Sequence, residues 1–178
     1  MALSAGCTNT LPPDAAPIAY GGITITGSPE FVAQTRSALA LLEQKDAGAF
    51  IKIQTYVGII AQGEHSGMWA WESPPRYEVG NATAFSSITW YASTIAHDAT
   101  HSELYAQYQA GHPGEPVPDD VFSGVEIERY CNAYQLEVLK HIGAPQNEID
   151  YAATLDGSHC DVDHDGDCDI TDYQLRDW

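Results

Sequence analysis

Two histidines stand four residues apart in His97-Asp-Ala-Thr-His101. On a helix that spacing puts both imidazoles on one face, where they can reach one ion. The alternative is two surface histidines that share a helix by chance. A second segment weighs against it. Glu128, Cys131, Gln135, Val138, Leu139 and Ile142 recur at helical spacing, so Glu128 is an acid on an otherwise apolar face. A buried, unpaired carboxylate is costly and needs a cationic partner. Lys and Arg number only 7 in the chain, so a metal ion is the better partner for Glu128. Glu126 lies about 200° around the same helix and points outward. Ser123-x-x-Glu126 reads as a capping box, which accounts for that acid separately.

A second constellation closes the chain. Asp161, Asp163 and Asp165, then Gly166, Asp167, Asp169 and Asp172, occupy positions 1, 3, 5, 6, 7, 9 and 12 of a twelve-residue loop. That is the EF-hand register, with oxygen ligands for calcium and a glycine at the sharp turn. A disordered acidic tail would not need this register. Asp172 in place of a closing Glu resembles the loops of dockerins and thrombospondin type 3 repeats, both extracellular. A dockerin carries two such loops and this chain shows one, so cohesin binding is not implied. Cys160 and Cys168 bracket the loop and can be bridged in an oxidising compartment.

The metal-type segments carry a wider resemblance. His97-Asp-Ala-Thr-His101 followed by Glu128-Arg-Tyr-Cys-Asn132 resembles the zincin fold of metallopeptidases, in the gluzincin form whose third ligand is a Glu on a later helix. The resemblance covers roughly residues 22–145. It implies His97, His101 and Glu128 as zinc ligands and Asp98 as the general base, taking a proton from zinc-activated water that attacks a peptide carbonyl. It also implies that Asn132 supports the site and that Arg76–Val79 is an edge strand along which a peptide lies. The chain departs from the family at Asp98, which replaces a Glu one methylene longer. Catalysis is sensitive to misplacement on the order of 1 Å.

The elements that must position these residues follow from patterning. Ile23–Thr26 reads as a strand, and Ser28-Pro-Glu30 as a helix start running to about Gln44. Ala49–Ala61 is rich in β-branched residues and reads as strand. Met68–Trp71 and Arg76–Val79 read as short strands around Ser73-Pro-Pro75, with the prolines suggesting an edge. Two long helices follow, near Ser86–Ala110 and Val125–Ile142, closed by Gly111 and Gly143. The expected fold is α+β: a zincin-like domain with a small mixed sheet and two long metal-bearing helices, plus one calcium loop. The expected organisation is a tether or processed N-terminus over 1–20, the domain over 21–150 and a calcium-binding tail over 156–178.

Composition bounds the function. The formal charge of −18 from 25 Asp+Glu against 7 Lys+Arg excludes a generic nucleic-acid binder. No apolar run approaches the roughly 18 residues of a membrane span. Leu3-Ser-Ala-Gly-Cys7 is similar to the end of a bacterial lipoprotein signal, which would make Cys7 a lipid anchor; an incidental cysteine is the alternative. Cys131 reads as a small buried hydrophobe, Trp69, Trp71 and Trp90 as core, and His65, His112, His141, His159 and His164 as surface histidines. The expected function is an extracellular or cell-surface, calcium-stabilised zinc hydrolase acting on a peptide or protein. The alternative is a non-catalytic, self-assembling surface or structural protein with a degenerate metal site.

Overall fold

The computed structural model describes residues 18–176. Its architecture is α+β, one five-stranded mixed sheet with helices packed against it. The strands are β1 (Ile18–Tyr20), β2 (Ile23–Thr26), β3 (Ile59–Gln62), β4 (Gly67–Trp69) and β5 (Arg76–Val79). Their order across the sheet is β1-β2-β3-β5-β4, with β2, β3 and β5 parallel and the two outer strands antiparallel to their neighbours. Part of the segment read as a tether is therefore strand, since β1 pairs with β2 through Ile18–Ile25 and Tyr20–Ile23. Cys7 lies outside the described residues.

Helix α1 (Pro29–Lys45) begins as its sequence dictates, with Ser28 Oγ accepting the Phe31 N–H at 3.2 Å and Pro29 opening the first turn. The next segment differs from expectation. Ala47–Tyr56 is a helix, α2, and only Ile59–Gln62 of that stretch is strand. Asp46 caps it by accepting the Ala49 N–H at 3.1 Å. Ala49, Phe50, Ile53 and Val57 are buried while Ile51 is exposed, a helical stripe that outweighs the β-branched composition.

The second correction concerns the edge. Arg76–Val79 is flanked on both sides, by β3 and β4, and the sheet ends on β4 instead. Pro74 and Pro75 precede the strand, so neither removes a ladder donor from it; the Pro75 carbonyl accepts from Gly58 and Ile59. Ser66 anchors the true edge, donating to Thr83 Oγ1 at 2.8 Å and accepting from the Gly80 N–H.

The short α3 (Asn81–Ala84) leads into α4 (Ile88–Gly111), capped by Ser87, and α5 (Val125–Ile142) ends on Gly143 in the left-handed conformation. Ser123 and Glu126 do not form the expected box. Gly124 is the N-cap, Ser123 Oγ donates to the Cys168 carbonyl, and Glu126 pairs with Arg129 on the surface. The core joins Ile23, Ile25, Ile60, Tyr77 and Val79 of the sheet to Phe31, Leu39, Ile53, Tyr91, Ile95 and Val138 of the helices. Beyond α6 (Gln146–Ala152) the chain forms a 3-10 turn (Ser158–Cys160), the acidic loop, and α7 (Ile170–Leu175). Among the described residues no helix is long and apolar enough to cross a membrane.

Candidate metal centre

Helices α4 and α5 pack together along buried faces, and the two buried histidines of α4 meet the buried acid of α5. His97 Nε2 lies 3.1 Å from Glu128 Oε2, His101 Nε2 lies 3.4 Å from Glu128 Oε1, and the two Nε2 atoms are 3.1 Å apart. Four donors about 2.0–2.2 Å from a tetrahedral ion are about 3.3–3.6 Å from one another. The three observed separations are close to that edge length.

His101 Nδ1 donates to the Phe122 carbonyl at 2.7 Å, which leaves the Nε2 lone pair facing Glu128 and His97. Burial opposes charge on Glu128, yet the neighbouring His101 and His97 hold its carboxyl well below the usual carboxylate range. Burial likewise disfavours charge on His97, but the bond to Glu128 raises its pKa on balance. The two Nε2 atoms and the carboxylate converge in a buried place, where either a proton or a metal ion can stand between them.

Cys131 lies one turn beyond Glu128 and is fully buried, as its place on the apolar face predicts. Ligand atoms of His97, His101 and Cys131 all lie within 4.8 Å of one another. Burial, then the charges of Glu128 and Asp98, push its thiol far up, so it stays protonated where Glu128 is ionised. Asn132 is buried, and neither of its amide atoms has a hydrogen-bond partner among the described residues, so the support expected of it is not made through a bond to either histidine. His97 Nδ1 is buried and unpartnered in the same way.

Asp98 is partly buried beside the histidines, and desolvation raises its pKa against the pull of His97 and His101. It lines a cavity of about 750 Å³ together with His97, His101, Glu128, Asn132 and Gln135. Tyr77 lies beneath it, its phenol pushed well above the usual range by burial and by the Asp98 charge. Trp69, Trp71 and Trp90 line this cavity instead of filling the core, and Trp71 is half exposed. Strand β4 contributes Gly67, Met68 and Trp69 to its wall.

The acidic tail packs against the rest of the chain. Tyr173 of α7 stacks edge-on to Trp69 and His65, and a Cβ on Gly67 would stand 2.8 Å from its ring. Its hydroxyl donates to Glu78 Oε1, and Arg176 Nη1 donates to the Ser66 carbonyl. Ile170 and Leu175 of the same helix remain exposed. His159 also departs from the surface reading: its Nε2 lies 3.5 Å from Glu128 Oε2. Spacing along the chain offered no signal for that contact, because 31 positions separate the two residues.

Cys160 and Cys168 form a disulfide across the acidic loop. Within it the Gly166 N–H donates to Asp161 Oδ2, the Asp165 N–H to Asp163 Oδ1, and the Val162 and Asp163 N–H groups to Asp172 Oδ1. Gly166 has φ +104°, the region where glycine costs least. Oxygen atoms of Asp161, Asp163 and Asp172 lie within 4.8 Å of one another, and so do those of Asp167, Asp169 and Asp172. Asp169 also caps α7 by accepting from Thr171 and Asp172. Crowding shows in the acids: the neighbouring Asp165 carboxylate raises Asp167, and desolvation together with adjacent carboxylates raises Asp163.

No family model, curated protein or solved structure matches the chain.

Proposed function

We propose that the protein is a zinc-dependent hydrolase acting on peptides, stabilised by calcium in its tail. The observation that carries this reading is the convergence of His97 Nε2, His101 Nε2 and Glu128 at 3.1–3.4 Å in the wall of a large cavity. When bound, zinc supplies Lewis-acid polarisation of a carbonyl and lowers the pKa of water. The chain's own residues do the rest. Glu128 balances charge, and the Phe122 carbonyl keeps the His101 proton on Nδ1. Asp98, held on the same helix beside both histidines, is the base that takes a proton from water in the cavity. The resemblance to the gluzincin zincins supports the same roles.

Strand β4 is the sheet edge next to these residues. An extended peptide can add to such an edge through main-chain hydrogen bonds. Trp69, Trp71 and Phe122 offer apolar surface for its side chains. Asp161, Asp163, Asp165, Asp167, Asp169 and Asp172 are the calcium loop in this reading, supported by the turn at Gly166 and by carboxylate crowding that a divalent ion relieves. The disulfide supports an extracellular or cell-surface location.

One observation favours a second reading, a non-catalytic surface protein whose metal site is structural: the tail covers part of the cavity and brings His159 to Glu128. Incubation with an unfolded protein substrate, zinc and calcium separates the two. Cleavage that is lost on metal stripping and restored by zinc supports the hydrolase. Background rates under every condition support the structural protein.

A further inference from the structure

The three donors described above come from the two long helices. His159 approaches the same carboxylate from the tail, with Nε2 3.5 Å from Glu128 Oε2, the oxygen that also faces His97. Its placement is built in from both sides. Gly157 has φ +94°, and a Cβ there would stand 2.2 Å from the Val125 carbonyl oxygen and 2.9 Å from the Arg129 nitrogen. The 3-10 turn therefore lies directly on the first turn of α5, the turn that carries Glu128. On the other side, Cys160 is buried and bridged to Cys168, whose carbonyl accepts from Ser123 just before α5. The His159 side chain keeps 34% exposure, so it does not serve as core, and its buried Nδ1 has no partner among the described residues.

We propose that His159 is a fourth protein donor of the metal centre, its Nε2 joining His97, His101 and Glu128. The inference rests on the reading of those three as ligands. The 3.5 Å separation falls within the 3.3–3.6 Å or so expected between donors on one tetrahedral ion. Four protein donors make a closed centre, and three leave one position open to solvent. His159 sits on a three-residue turn ahead of the acidic loop, whereas the others sit inside helices of 24 and 18 residues.

The test is X-ray absorption on the zinc-loaded full chain in calcium, with a zinc-affinity titration beside it. The wild type should show three imidazoles per zinc, and His159→Ala and His159→Gln should show two. Loss of this donor should weaken zinc binding about tenfold or more, since even outer partners of a metal site are worth 10–100-fold. Two imidazoles in the wild type, with affinity unchanged in both variants, would overturn this inference and leave the three-ligand reading standing. A wild type that binds no zinc would overturn both.

Discussion

The Nε2 atoms of His97 and His101 stand 3.1 Å apart, each also facing an oxygen of Glu128. With the His101 Nδ1 proton given to the Phe122 carbonyl, the Nε2 edge of that ring is the one that faces His97 and Glu128. A proton on His97 Nε2 or a metal ion among the donors satisfies that contact. The arrangement thus ties the chemistry of the cavity to a single acid on α5.

Asp98 bears the catalytic claim. Asp98→Asn removes the base while keeping its shape, so peptide cleavage should fall by about 10²–10⁴-fold, the range general-base catalysis contributes. Asp98→Glu should retain or raise the rate, because the longer side chain extends further into the cavity. Initial rates on one peptide, with zinc content matched among the three proteins, give the comparison. Equal rates in all three would remove Asp98 from the mechanism.

The tail should depend on calcium. Asp163 and Asp167 are raised by desolvation and by neighbouring carboxylates, so without a cation the loop is held together against repulsion. Limited proteolysis, read after reduction of the Cys160–Cys168 bridge, should release a C-terminal peptide from residues 156–178 faster in calcium-free buffer than in calcium. Asp161→Ala should cleave at the calcium-free rate in both buffers. Identical release with and without calcium in the wild type would show that the loop is not ordered by it.

Gly157 should be intolerant of a side chain. At φ +94° with a Cβ 2.2 Å from a backbone oxygen, Gly157→Ala must push the 3-10 turn off α5. Strain of this kind costs about 1–3 kcal/mol. For a chain of this size that corresponds to a fall in Tm of roughly 2–12 °C. Thermal unfolding in calcium reads it directly, and an unchanged Tm would mean that the turn does not sit tightly on the helix.

Much of this was legible from spacing. The buried face of α5 is the one its periodicity predicts: Glu128, Cys131, Gln135, Val138, Leu139 and Ile142 are all buried. Ser28 and Gly143 mark helix ends because capping is local chemistry. Two local signals misled. The β-branched residues of Ala47–Tyr56 masked a helical stripe, and the prolines before Arg76 suggested an edge although they lie outside the ladder. What spacing cannot convey is contact between distant segments. Neither His159 at Glu128 nor Tyr173 over Gly67 leaves a trace in local pattern, because each depends on how the tail folds back. Cys131 shows the same limit from within one helix, since its nearness to both histidines of α4 depends on how α4 and α5 pack.

On the proposed reading, Glu128 binds a transition metal together with His97 and His101. Metal content per chain after loading with zinc and extensive dialysis tests it most directly. The wild type and Glu126→Gln should each retain about one zinc, because Glu126 is a surface acid paired with Arg129. Glu128→Gln should retain far less, since the neutral amide replaces the carboxylate that meets both imidazoles. Equal zinc in wild type and Glu128→Gln, or a loss confined to Glu126→Gln, would contradict the account.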